Sequence, residues 1–184
     1  MVNNWGIIFD RDGTLIKFVD YISKKEDVQI IEGMSELLHE LYEEGAMIFL
    51  HTNQSAVGRG IMTRVENIDL NNYIIKKLDV QNIFSEILIA YGNPEKLSPH
   101  EKKIRKPTNY FSSFIKLKYK IKNIIYVGDT DADLQSAIAS DCFGIGVRFG
   151  KSNFNERKYA QNKKILFVSN VEELRKTIYA ITNF

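Results

Sequence analysis

The chain has one cysteine, Cys142, among its 184 residues, so it can neither close an internal disulfide nor assemble a thiolate zinc site, which agrees with a reducing compartment. Cys142 reads as a small buried hydrophobe. Charge of one sign is lacking as well: 25 basic residues against 23 acidic ones leave a net charge of +2. Nothing in that balance calls for a nucleic-acid partner, and a small partner is expected instead. No apolar run approaches the roughly 18 residues needed to span a bilayer, and the first residues carry no basic, apolar and small-residue series of a cleaved signal. A soluble, cytoplasmic protein with no membrane partner is the expectation. Repeats and low-complexity tracts are absent too, and the length suits a single domain over residues 1–184.

What is present is alternation. Short apolar runs at Gly6 to Phe9, Ala46 to Leu50, Glu86 to Ala90, Ile124 to Val127, Phe143 to Val147 and Ile165 to Val168 read as strands. They are apolar on both faces, which suggests a mostly parallel sheet covered by helices. Met34, Leu37, Leu38 and Leu41 recur at helical spacing and stop at Gly45, while Val171, Leu174, Ile178 and Ile181 mark a closing helix. Thr63 with Glu66 forms a capping box for a helix running to about Leu78, and another helix is expected from Asp131 to Ala139. The fold class is α/β, doubly wound, with right-handed crossovers. The one long irregular connection expected is Tyr91 to Lys106. The intervals between the polar motifs are used up by ordinary strands and helices, so no cap domain fits.

The polar motifs fall where such a sheet binds ligands, beyond the carboxyl ends of its strands. Asp10-Arg11-Asp12-Gly13-Thr14 follows the first strand, Thr52-Asn53-Gln54-Ser55 the second, and Gly128-Asp129-Thr130-Asp131-Ala132-Asp133 the fourth, with Arg105-Lys106-Pro107 between. Two carboxylates delivered to one loop can hold a metal and attack phosphorus. Asp10 would be the nucleophile, making an aspartyl phosphate, and a hard cation such as Mg²⁺ would offset the repulsion between two anions. Asp129 is the natural second ligand, with Asp133 binding directly or orienting the shell. Asp12, two residues on, can protonate the leaving group and then deprotonate the attacking water, which requires it to begin the cycle protonated. Lys106 and Thr52 can meet phosphoryl oxygens.

Each residue has a plainer alternative. Thr52 and Asn53 can be a helix cap or turn, Lys106 a solvated loop lysine, and Asp131 and Asp133 charges favoured at a helix start. Asp131 is left with that role, Gly58-Arg59-Gly60 is read as a turn, and His39, His51 and His100 receive no function.

Taken together and in this order, the four motifs resemble the haloacid dehalogenase superfamily of phosphohydrolases, and within it the capless subfamily of D,D-heptose 1,7-bisphosphate and histidinol-phosphate phosphatases. The similarity runs over roughly residues 5 to 180. It implies a Rossmann-like fold without a cap, Asp10 as nucleophile and metal ligand, Asp12 as acid/base grouped with the metal site, and Asp129 and Asp133 on Mg²⁺. It further implies that Thr52 and Lys106 are catalytic, that Asn53, Gln54, Ser55, Arg105 and Tyr21 contact substrate, and that the segment from about Phe18 to Tyr21 lies over it. The activity implied is hydrolysis of a small sugar phosphate, the 7-phosphate of a heptose 1,7-bisphosphate in surface-glycan precursor synthesis. Histidinol phosphate, a polynucleotide 3′-phosphate and a non-catalytic binding module are the alternatives, and substrate discrimination is expected from loops such as Tyr91 to Arg105 rather than from a closing lid.

Two departures from the subfamily stand out. Many members carry a zinc loop of three cysteines and a histidine before the Arg-Lys-Pro step, whereas Ala90 to Lys106 has no cysteine. Thr130 also stands where some members have lysine, removing one positive charge beside the phosphate. Because the zinc ligands are missing, phosphatase activity is expected to survive a zinc-specific chelator and to be lost on Mg²⁺ removal. Stoichiometric zinc in elemental analysis of the purified protein would contradict this.

Overall fold

In a computed structural model that describes residues 4–183, strands β1 (Trp5–Phe9), β2 (Met47–Asn53), β3 (Phe84–Ala90), β4 (Asn123–Gly128), β5 (Phe143–Val147) and β6 (Ile165–Val168) form one sheet. Every pairing is parallel, in the order β3-β2-β1-β4-β5-β6. The chain starts in the middle, winds to one edge, returns and winds to the other. That reversal places the tips of β1, β2 and β4 side by side at the switch point.

Helices α1 (Met34–Glu43), α2 (Ser55–Gly58), α3 (Arg64–Lys77), α4 (Pro99–Ile104), α5 (Tyr110–Tyr119), α6 (Asp131–Ala139) and α7 (Val171–Thr182) occupy the connections. Side chains alternate along each strand, so Ile7, Phe9, Ile125 and Val127 pack with the buried residues of α1, α3 and α7. Ile8, Ile124 and Tyr126 pack on the opposite face with Phe111 and Ile115 of α5 and Leu134 and Ala137 of α6. Local signals agree with the elements they punctuate. Thr63 and Glu66 form the reciprocal capping box of α3, and Gly45 follows α1 with φ +84°. No helix among the described residues is long and apolar enough to cross a membrane.

Two connections differ from the sequence expectation. Tyr91 to Lys106 is not irregular throughout, because α4 lies within it, its Ser98 hydroxyl accepting the Glu101 N–H at 3.2 Å and Pro99 opening the first turn. Ser-Pro-x-Glu is a helix start, with proline suited to the first turn where its missing N–H costs nothing. The longer excursion is the one from Asp10 to Gly33, which carries a single 3-10 turn at Lys25–Asp27. It is held by bridges from Ile16 to Asp12 and Ile30, and it buries Leu15, Ile16, Ile22 and Val28 beneath itself.

Leu38 is wholly buried on α1. Leu38→Ala should therefore destabilise the protein by about 2–5 kcal/mol in urea unfolding, with the residues at the strand tips untouched.

Candidate active site

Strand β1 continues one residue past its end, the Asp10 N–H donating to the Val127 carbonyl of β4 at 2.9 Å, and this backbone bond brings Asp10 to the tip of the neighbouring strand. Carboxylate oxygens of Asp10, Asp129 and Asp133 lie within 4.8 Å of one another, all three residues buried. Lys106 enters from the other side. Its Nζ donates to Asp10 Oδ1 at 2.7 Å and to Asp133 Oδ1 at 2.6 Å. The second Asp133 oxygen accepts from the N–H and hydroxyl of Thr130, the capping box that opens α6. Asp133 thus has both oxygens engaged, and it fixes the lysine and the start of the helix together.

Asp129 is different. Its Oδ2 accepts the Lys151 N–H at 2.7 Å, while its Oδ1 is buried with no hydrogen-bond partner. Two glycines press around this carboxylate: a Cβ on Gly13 would meet Asp129 Oδ2 at 2.0 Å, and one on Gly150 would meet the Gly13 carbonyl at 2.2 Å. An orphaned buried oxygen among hard carboxylate donors fits a small divalent cation, since a buried acceptor without a partner is costly.

Burial dominates the electrostatics. It pushes Asp10 up to about 7, against the pull of Lys106 and with the neighbouring carboxylates adding to the rise. Burial and Asp133 likewise raise Asp129 to about 6. Desolvation alone would discharge Lys106, but Asp10 and Asp133 overcome it and hold the ammonium above the usual lysine range.

Asp12 does not join the three clustered carboxylates, a difference from its expected grouping with the metal ligands. Arg11 Nη2 donates to both Asp12 oxygens at 2.9 Å, and Gln54 Nε2 reaches Asp12 Oδ2 at 2.7 Å. Arg11 is itself 1% exposed and is anchored on Asn71 of α3 at 2.6 Å. A local donor pair has captured the carboxylate and aimed it from a rigid base.

A cavity of about 250 Å³ opens over these groups, and Asp10, Asp12, Thr52, Asn53, Gln54, Ser55, Lys106 and Asp129 all line it. So do Phe18 to Ile22, including Tyr21, whose φ of +49° lifts a half-exposed ring at the rim. Thr52 accepts from Gln54 at 2.8 Å, which leaves its own hydroxyl proton to donate. Asn53 behaves otherwise than expected. Its amide donates to the Lys106 carbonyl at 3.0 Å and accepts the Lys106 N–H at 3.1 Å, so it clamps the lysine's main chain. Arg105 is not among the cavity-lining residues; its guanidinium is tied to the Gly92 carbonyl and the Ser55 hydroxyl. Nor does any other residue of Tyr91 to Arg105 line this cavity, and the stretch assigned to substrate discrimination meets it through the bond from Arg105 to Ser55.

Three residues escaped the sequence reading. Arg11 had its signal in plain view between two aspartates. Lys151 lies just beyond β5, a strand tip beside β4 that carries no acidic motif. His51 is fully buried, one ring nitrogen at 2.9 Å from the Ile104 carbonyl and the other at 3.0 Å from the Tyr126 hydroxyl. Burial, with Lys106 nearby, lowers it to about 3, so the ring is neutral and ties down the chain just before Arg105 and Lys106.

The family model described as polynucleotide kinase 3 phosphatase matches residues 7–173. The chain belongs to this phosphatase family. Its haloacid dehalogenase character agrees with the resemblance drawn from the motifs. Over 182 residues, 95% of either chain, it is 28% identical to the D-glycero-beta-D-manno-heptose-1,7-bisphosphate 7-phosphatase of Photorhabdus laumondii. The enzyme of the same name from Haemophilus ducreyi is 31% identical over 137 residues, 71% of this chain and 75% of the relative. The crystal structure of D,D-heptose 1,7-bisphosphate phosphatase from B. bronchiseptica, complexed with magnesium and phosphate, superposes with a TM-score of 0.79. That match covers 96% of this chain and 98% of the other at 20% identity, a likeness of fold.

Protons would compete with a divalent cation for Asp10 and Asp129. Both pKa values are raised in the folded protein, so the metal-free protein should lose stability as pH climbs from about 4 to 7 and the folded carboxylates are forced to ionise. Mg²⁺ should offset that loss only where the sites are ionised. At a hundred times its Kd, Mg²⁺ should raise Tm by about 5–10 °C at pH 8 and far less at pH 5, read by thermal unfolding with and without a chelator.

Proposed function

We propose that this protein is a Mg²⁺-dependent phosphomonoesterase of the cytoplasm, acting through an aspartyl phosphate on a small phosphorylated sugar, with the 7-phosphate of a heptose 1,7-bisphosphate as substrate. One observation carries the reading: Asp10 and Asp12 from one loop and Lys106 from another face one cavity, with the buried, partnerless oxygen of Asp129 from a third stretch of chain beside them. The names of the relatives supply the sugar.

Asp10 and Asp129 would hold the cation, and Asp133 would act by fixing Lys106 and Thr130. When bound, Mg²⁺ supplies neutralisation of phosphoryl charge. Asp10 attacks phosphorus in line, and the bond to the sugar oxygen breaks as Asp12 donates its proton to that oxygen. Water then attacks the aspartyl phosphate, Asp12 takes the water's proton, and inorganic phosphate leaves with Asp10 restored. Arg11 and Gln54 fix the direction of Asp12 throughout. Lys106 offers a point charge, and the free proton of Thr52 a neutral donor, to the non-bridging oxygens.

Asp10→Asn should reduce phosphate release by at least about a thousandfold while the circular-dichroism melt stays cooperative, since Lys106 keeps Asp133 as a partner. Retention of most activity would defeat the nucleophile assignment. A phosphate-release panel of heptose 1,7-bisphosphate, histidinol phosphate and a 3′-phosphorylated oligonucleotide tests the substrate. The heptose should give the highest kcat/KM, and preference for the oligonucleotide would replace the sugar reading.

A further inference from the structure

We propose that Lys151 is the specificity residue that receives the second, distal phosphate of the substrate, an inference that rests on the sugar-bisphosphate reading above. A bisphosphate brings two dianions into one cavity, and the second must meet a positive charge that the first has not used. Three cations line the cavity: Arg11, Lys106 and Lys151. Arg11 is spent on Asp12, Asn71 and Gln54 and is 1% exposed. Lys106 is spent on Asp10 and Asp133 at the floor. Arg105, the remaining cation of the motif, is turned onto Gly92 and Ser55 and does not line the opening.

Lys151 has a different character. Its side chain is 44% exposed, and its one ion pair among the described residues is a loose contact of 3.7 Å to Asp20, whose carboxylate is itself 76% exposed. A pair that open to water is weak, so an incoming dianion can displace Asp20 at little cost. Two features hold the ammonium at the rim. Its main-chain N–H is bonded to Asp129 Oδ2 at 2.7 Å, which roots the residue beside the reacting centre, and its Nζ stands 4.5 Å from the centroid of the Phe18 ring, a cation–π contact with the loop that covers the cavity. The lysine therefore spans from the catalytic floor to the lip. Its charge distinguishes a sugar carrying two phosphates from the same sugar carrying one.

The test uses two substrates cleaved at the same bond, heptose 1,7-bisphosphate and heptose 7-phosphate. In Lys151→Met the ratio of their kcat/KM values should fall about 10- to 100-fold, through KM of the bisphosphate, as expected for a lost charge-assisted contact made equally in ground and transition states. Lys151→Arg should keep most of the ratio, which a merely structural role for the residue would not require. An unchanged ratio in Lys151→Met, or an equal loss on both substrates, overturns the subsite and leaves the phosphatase reading standing. Wild-type protein that releases phosphate from neither compound overturns that reading, and the subsite with it.

Discussion

Two carboxylates at the tips of adjacent strands and a third in the first turn of α6 repel one another in a buried setting, and the ammonium of Lys106 is what lets them stay together. It touches Asp10 and Asp133 directly, and Asp133 passes the constraint on to Thr130 and the first turn of α6. Removing one partner of a buried pair leaves an uncompensated charge, so each member depends on the rest. The lysine is in turn located by groups that carry no charge: the Asn53 amide grips its main chain on both sides, and neutral His51 holds the carbonyl two residues before it. The electrostatic centre is set by hydrogen bonds from a strand, not by the lysine's own flexible stem.

The fold was legible because its signals were redundant. Six apolar runs coincide with six strands, and capping residues at Thr63 and Gly45 mark helix ends where periodicity alone would leave them loose. The failures share one cause, a local residue type read without its context. The Tyr91 to Lys106 connection reads as irregular although Pro99 opens α4 within it, and the excursion from Asp10 to Gly33 has buried residues that follow no period. Such a segment is held by its own tertiary contacts, which a periodicity reading does not register.

The candidate site was legible in its positions and less so in its directions. The strand-tip rule located Asp10, Thr52, Asp129 and, with Lys106, the whole floor of the cavity. It says nothing of where a side chain turns. Asp12 is bonded by Arg11 and Gln54, Asn53 points at Lys106, and Arg105 points at Ser55, since each found a nearer partner than the ligand imagined for it. Lys151 was missed because a lone lysine after a glycine has no pattern of its own; only the backbone bond to Asp129 gives it a place.

The clamp on Lys106 has a consequence for how this scaffold can be altered. Asn53 and His51 hold the chain from Ile104 to Lys106 by bonds to β2, so the ammonium does not depend for its place on the exposed turn of the preceding arm at residues 94–96. That exposed turn, ahead of the Ser98 cap of α4, is the natural graft point. A reporter peptide, an affinity handle or a longer recognition hairpin can be spliced there while the catalytic floor keeps its geometry.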